Sequence, residues 1–424
     1  MISRAFRRSP PTESHTATFQ DLAEVVRSVH AASERTLDTQ LAIARTAAPT
    51  GAEAARGQLV ARLLRDRGIA DVRQDAVGNI IARVPASGAM YAAASASETH
   101  GDRAPVLVLA HLDTVFAESE LPAPRVEGTR VFAPGIGDNS RGLAAMITIA
   151  EAMRHATIRS RPHRPIEFIA TVGEEGAGNL RGVRHLFAER DAAAAPAPNA
   201  VIALDGPGDT LIVHHAIASH RLRFTMRGGG GHPWADASVP NAAHAIGRAV
   251  SAIAQLADAQ RDGVTVSVTR IGGGEGLTSI PTQAWCEVDV RTRHSQAMPQ
   301  LLNTLSRLLE RARADTSAHV APHDRNALTL QTEILGDRPG GALDITHPLV
   351  QLAQAATRWQ GGEPQSASSS SDANIPLSLG IPSITIGAGG TGGGAHTRDE
   401  WYDDENSANG VARALGIIVA SATH

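Results

Sequence analysis

Short apolar runs that each end on a histidine or a carboxylate constrain this chain more than any other feature. Val106 to Ala110 leads into His111, Ile166 to Val172 ends in Gly173-Glu174-Glu175-Gly176, and Ala200 to Leu204 ends at Asp205. Runs of this length suit strands buried on both faces, as in parallel sheets. Apolar helical stretches such as Leu143 to Met153 lie between them. That alternation predicts a largely parallel sheet with helices on both faces. In such a sheet, chemistry gathers at the C-terminal strand ends. A strand also has a period of two, so His111 and Asp113 should point to the same side.

The remaining elements follow from periodicity. Residues 18 to 46 read as one helix through Leu22, Val25, Val26, Val29, Leu37, Leu41 and Ala44. A second runs from Ala52 to Arg67. Strands are expected at Asp71 to Gln74 and Asn79 to Val84, and the Ala/Ser-rich stretch from 86 to 104 reads as a surface excursion. The pattern changes near 214. Strands at 221 to 227, Val264 to Ile271, Ala284 to Arg291 and Leu328 to Leu335, with helices at Asn241 to Leu256 and Met298 to Ala314, give the β-α-β-β-α-β order of a ferredoxin-like motif. The first pattern then resumes, with a helix from His347 to Trp359, the strand Ser383 to Ile386 and a last helix from Asn406 to Ala422. The expected fold is α/β. A largely parallel-sheet domain formed by 1–213 and 341–424 carries an inserted ferredoxin-like α+β domain at 214–340.

Composition removes several classes of function. The 424 residues suffice for two domains, and 42% hydrophobic with 19% charged residues is a globular balance. A net charge of -4 offers no basic field, so nucleic acid is not an expected partner. No apolar run approaches the roughly 20 residues of a membrane span. The opening MISRAFRRSPPTESH has arginines but no apolar run, so it reads as a disordered tail and not a secretory signal. Cys286 is the single cysteine, excludes an internal disulfide, and reads as packing inside AWCEVDVR. A cytoplasmic location fits these features.

Five residues stand at strand ends or in adjoining loops: His111, Asp138, Glu175, Asp205 and His396. Two histidines and three carboxylates suit a dinuclear zinc site, in which one carboxylate bridges and each ion takes one histidine and one further carboxylate. Without metal, three converging carboxylates would repel. Asp113 would orient His111 through its second ring nitrogen, and Glu174 would act as general base. A competing signal is Gly387-Ala388-Gly389-Gly390-Thr391-Gly392, which fits the dinucleotide-binding G-x-G-x-x-G pattern. That pattern requires a following helix, and the expected role of this loop is instead to position His396 and touch substrate, with Gly389 among the contacts.

Taken together, HLDTV at 111–115, GIGDNSRG at 135–142, GEEG at 173–176, LDG at 204–206, GGH at 230–232, SDAN at 371–374 and GGAHT at 393–397 resemble a known family. It comprises the dinuclear zinc peptidases and deacylases that include tripeptidase T, carboxypeptidase G, aminoacylase and succinyl-diaminopimelate desuccinylase. The similarity spans residues 40 to 420, has the same inserted domain, and is nearest in flavour to the tripeptidase-T-like members. It implies that Asp138 bridges two ions, that His111 and Asp205 complete one, and that Glu175 and His396 complete the other. It implies two divalent ions, zinc first, with cobalt or manganese possible. His232 would stabilise the oxyanion, in its own or a partner's site, and Arg291 would bind a substrate carboxylate. Closure of the inserted domain would bring both to the substrate. The family often has Asn-x-Ile-Pro where this chain has Thr278-Ser279-Ile280-Pro281, so Thr278 offers a hydroxyl in place of an amide as a substrate contact. The implied activity is hydrolysis of a peptide or N-acyl amide bond in a small substrate with a free carboxylate, through metal-bound hydroxide and Glu174. A homodimer through the inserted domain is implied as well. The opposing possibilities are a silent metal-binding scaffold of the same fold and a nucleotide-dependent enzyme.

Overall fold

Every residue of Val106–His111 is buried, as expected of a strand covered on both faces. The computed structural model describes residues 19–87, 103–118, 122–159, 161–259, 263–320 and 327–423. The N-terminal tail and most of the 86–104 excursion lie outside the described residues. Strands β1 (Asp71–Gln74), β2 (Ile80–Val84), β3 (Val106–His111), β6 (Ile166–Thr171), β7 (Ala200–Leu204), β8 (Leu211–Ala216), β13 (Gly341–Ala342), β14 (Gln365–Ser369) and β15 (Ser383–Ile386) form one sheet. Its order is β1-β2-β6-β3-β7-β15-β8-β13, with β14 paired to β8. The central strands β6, β3, β7 and β15 are mutually parallel, and antiparallel strands flank them. A second sheet in the order β16-β17-β5-β4 comprises β4 (Arg125–Glu127), β5 (Arg130–Phe132), β16 (Thr391–Gly393) and β17 (Trp401–Asp403).

Cα packing divides the chain into two compact units, Met1–His215 with Ala342–His424, and Ala216–Gly341. The first unit contains α1 (Ala23–Ala31), α2 (Ser33–Ala44), α3 (Ala54–Asp66), α4 (Ser140–Ala152), α5 (Arg181–Ala192), α8 (Pro348–Trp359) and α9 (Ser407–Thr423). Helix α4 is buried at all positions but Glu151, which is why its sequence is apolar all round and not striped. The second unit has one antiparallel sheet in the order β10-β11-β9-β12, from β9 (Ala218–Arg227), β10 (Val264–Gly273), β11 (Gln283–Thr292) and β12 (Thr329–Arg338). Helices α6 (Ala242–Ala259) and α7 (Met298–Thr316) supply Ile246, Ala249, Leu305 and Leu309 to a core shared with Phe224, Met226 and Val288. Cys286 lies in that core, and burial pushes its thiol up to about 11. It is therefore an inert packing residue at neutral pH.

The expected single helix over 18–46 is two helices, broken at Ala32 (φ -90°, ψ 3°). Leu22, Val25 and Val29 pack into the main core, whereas Leu37, Leu41 and Ala44 pack with Val131, Ile136 and Tyr402. The second helix divides its apolar residues between the clusters, since its Ile43 joins the main core. Strand β8 was not legible, because His214 and His215 interrupt its apolar run. The expected glycine loop 387–394 contains β16, which pairs antiparallel with β17.

Candidate metal centre

The parallel strands deliver four of the five candidate ligands as neighbours, with Glu174 beside them. His111 ends β3, Glu174 and Glu175 follow β6, Asp205 follows β7, and the chain after β15 leads to His396. Since β6, β3, β7 and β15 are consecutive in the sheet, their C-terminal ends converge on one place. Asp138 comes from the loop between β5 and α4.

Asp138 is the centre of the arrangement. Its Oδ1 lies 2.9 Å from His111 Nε2, and its Oδ2 lies 3.1 Å from His396 Nε2. Asp205 Oδ1 is 3.7 Å from His111 Nε2, and Glu175 Oε1 is 2.8 Å from His396 Nε2. Two donor groups result, His111-Asp138-Asp205 and Asp138-Glu175-His396, each with its ligand atoms within 4.8 Å of one another. They share one carboxylate, which turns a different oxygen to each. Two ligands of one tetrahedral zinc, each about 2.0–2.2 Å from the ion, stand roughly 3.3–3.6 Å apart. The observed separations bracket that spacing. Imidazole nitrogen and carboxylate oxygen without thiolate suit zinc, cobalt or manganese. The site therefore fits two divalent cations.

Its electrostatics show why. Burial opposes ionisation of Asp138, yet His111 and His396 hold it well below the usual carboxylate range. Burial and the neighbouring Asp138 and Glu175 carboxylates raise Asp205, against the pull of His111. Burial alone would depress His111, but Asp113, Asp138 and Asp205 around it raise it well above its ordinary value. Hydrogen bonds to Asp138 and Glu175 push His396 up to about 10. Without metal, protonated imidazoles supply the positive charge that the carboxylates require. A metal ion takes over that task and displaces the protons. Because the histidine pKa values are raised, the protonated form competes at neutral pH and loading should strengthen as pH rises. Calorimetric metal titrations in buffers of different ionisation enthalpy should show proton release at pH 7 and weaker binding at pH 6 than at pH 8. Binding without proton release would contradict this charge balance.

Asp113 faces His111, and its carboxylate has a second task. Strand β3 stops at His111, so the period of two does not extend to Asp113. His111 Nδ1 donates to the Asp113 carbonyl oxygen at 3.0 Å, while the Asp113 carboxylate lies 3.6 Å from that nitrogen. The fully buried carboxylate also accepts the backbone N–H of Glu174 (2.9 Å) and Glu175 (2.9 Å) and the hydroxyl of Thr50 (2.9 Å). It holds the glutamate turn as well as facing the histidine. Glu174 is buried, with a carboxylate oxygen within 4.8 Å of ligand atoms of His111 and Glu175.

Two supporting residues had no role assigned from the sequence. Asn139 caps α4 by accepting from Gly142 N (3.1 Å), accepts from Gly206 N (3.2 Å), and donates from Nδ2 to the Leu204 carbonyl (2.8 Å). It thereby ties the Asp138 loop to the turn that carries Asp205. Gly142 makes this approach possible, since a Cβ there would lie 2.5 Å from the Leu204 carbonyl oxygen. Glu400 accepts three backbone N–H groups of the loop that carries Asp138. An alternating pattern would reveal neither residue, because their partners are backbone atoms distant in sequence.

The remaining candidates stand as follows. Gly389 is buried at φ +92°, and a Cβ there would lie 2.0 Å from the Ser407 carbonyl oxygen. It serves close packing against the start of α9. The segment after it is a strand, so the helix that a dinucleotide fingerprint needs is not at that place. His232, Thr278 and Arg291 belong to the second unit. The exposed His232 accepts backbone N–H bonds from Trp234 (3.2 Å) and Ala235 (3.3 Å) on Nδ1. Thr278 is exposed in the loop that bridges back to Gly231 through Ile280. Arg291 pairs with Asp289 through Nε and Nη2, both at 3.0 Å.

Comparison with known proteins agrees with this architecture. The model of the peptidase family M20/M25/M40 matches residues 107–420. "Uncharacterized protein YqjE" of Bacillus subtilis strain 168 is 26% identical over 319 residues, covering 74% of this chain and 80% of that protein. Among solved structures, a tripeptidase from Staphylococcus aureus superposes with a TM-score of 0.74 at 20% identity, over 92% of this chain and 99% of that one. The Bacillus subtilis YxeP protein, described as a dinuclear metal-binding peptidase of the M20 family, gives 0.65 at 16% identity over 92% and 98%.

Proposed function

The chain belongs to the M20/M25/M40 peptidase family, and from that premise we propose that it hydrolyses a peptide or N-acyl amide bond in a small substrate with a free carboxylate. The observation that carries this reading is Asp138, whose two oxygens face two separate histidine–carboxylate groups with Glu174 beside them. Two divalent ions, zinc first and cobalt or manganese as alternatives, would supply Lewis acidity toward the scissile carbonyl and an acidified water.

The chain's own groups do the rest. His111, Asp138 and Asp205 would hold one ion, and Asp138, Glu175 and His396 the other. Glu174 takes a proton from the attacking water and delivers it to the leaving nitrogen, so water adds across the C–N bond to give an acid and an amine. Asp113 fixes the backbone that carries Glu174 and Glu175. We assign His232 the donation of a hydrogen bond to the developing oxyanion. Its own loop supports this: backbone donors occupy Nδ1, so the neutral ring carries its proton on Nε2. We assign Arg291 the substrate carboxylate. Asp289 takes the Nε–Nη2 edge of its guanidinium and leaves the other edge for a ligand. Thr278 is assigned a polar substrate contact.

A homodimer through the inserted unit is part of the same reading, supported by the ten-residue strands β10 and β12 at the two edges of its sheet. No helix among the described residues is long and apolar enough to cross a membrane, and a cytoplasmic location is proposed on the single buried cysteine.

A panel of di- and tripeptides and N-acyl amino acids, each beside its C-terminal amide and assayed with zinc, cobalt or manganese, tests the proposal. Turnover should favour free carboxylates, stop on chelation and return with metal. Arg291→Ala should raise KM for the free acids about tenfold or more and change the amides little. No turnover across the panel by protein carrying two ions per chain would favour the silent scaffold instead.

A further inference from the structure

Glu400 is a carboxylate with 2% exposure, four positions after His396. Its Oε1 accepts from Gly137 N (2.8 Å) and Asp138 N (2.9 Å), and its Oε2 from Gly135 N (2.6 Å). Its backbone carbonyl accepts from Ala133 N (3.0 Å), and the next residue, Trp401, pairs with Phe132 across β17 and β5. The turn from Gly394 is closed by Thr397 N to the Gly394 carbonyl (3.0 Å) and Glu400 N to the Thr397 carbonyl (3.3 Å). One short segment therefore carries His396 and also grips the loop of Asp138, whose amide lies 262 positions away in sequence.

A buried carboxyl group close to a further carboxylate is an unfavourable choice for packing alone. Its advantage is geometric. A carboxylate has two acceptor oxygens able to gather three N–H groups, whereas an amide has one acceptor oxygen and would turn N–H against N–H. We infer that Glu400 is a positioning residue: it fixes the Asp138 carboxylate relative to His396 and so sets the affinity of the ion held by Asp138, Glu175 and His396. The inference rests on the two-ion reading given above.

The test is a cobalt titration of metal-free full-length protein, followed by equilibrium dialysis with metal analysis and by visible absorption, on wild type, Glu400→Gln and Glu400→Asp. Circular dichroism and melting of the metal-free proteins accompany it. Both substitutions break the three-way grip, Gln by losing an acceptor and Asp by retracting the carboxylate one methylene. The expected result is a folded variant that binds one ion within about threefold of wild type and the other roughly 10–100-fold more weakly, the range for groups that orient a metal ligand. A folded variant that takes both ions as wild type does, even with a lowered melting temperature, overturns the inference. So does failure of both variants to fold at any metal concentration, since Glu400 would then be part of the fold itself. Wild-type protein that never takes a second ion overturns the two-ion reading, and the inference with it.

Discussion

Glu174→Ala should retain two metal ions per chain and lose nearly all turnover. Glu174 follows β6, is buried, and lies against His111 and Glu175 without being needed in either of the two groups that share Asp138. Its backbone is held independently, because Glu174 N donates to Asp113 Oδ1 at 2.9 Å. Removing the side chain should therefore leave the donor geometry standing and take away the group that moves the proton. General-base removal of this kind costs about 10²–10⁴-fold, on the order of 3–5 kcal/mol of transition-state stabilisation. Metal analysis and kcat/KM on the same preparation check it. A metal-loaded variant within tenfold of wild type would sink the assignment of Glu174 as base.

The second large effect separates Asp138 from His396. Asp138→Ala should lose both ions, whereas His396→Ala should lose one. Asp138 offers Oδ1 to the group of His111 and Oδ2 to the group of His396, so truncating it strips a donor from each group at once. It also removes the anion that balances two raised histidines. His396 belongs to a single group, and its truncation leaves His111, Asp138 and Asp205 in place. Metal content after dialysis against dilute zinc distinguishes the two variants. Retention of both ions by Asp138→Ala would remove the shared carboxylate from the argument.

The sequence made His111, Glu175 and Asp205 legible as candidate ligands because each sits just past a buried run, whereas Asp138 and His396 stand in glycine-rich loops and were legible through their motifs. In Val106–His111 and Ala200–Leu204 the apolar character is itself the record of burial on both faces. The position just past such a run is the one place where a polar side chain can reach a crevice. The inserted ferredoxin-like unit was legible for a similar reason, since its strands alternate between a helix-covered face and an open one.

Other features depend on contacts that have no period. The break at Ala32 leaves Leu37, Leu41 and Ala44 in a cluster separate from Leu22, Val25 and Val29, although the residues on either side carry one helical pattern. The carboxylate of Asp113 faces the glutamate turn because β6 lies parallel and adjacent to β3, with Thr171 beside His111. Asn139 and Glu400 support the site through backbone N–H and carbonyl groups of distant segments. Every residue type but proline offers both backbone groups, so little in the partner's identity announces the bond.

By itself, then, the sequence determined the layered α/β architecture and the insertion, because hydrophobic burial leaves a periodic trace along the chain, and its motifs singled out the candidate donors. Only the tertiary structure decided that Asp138 turns one oxygen to each group, that Asp113 holds the Glu174–Glu175 turn, and that Glu400 grips the Asp138 loop. Those are hydrogen bonds of a few ångströms between segments far apart in the chain, and they exist only once the sheet has brought the segments together.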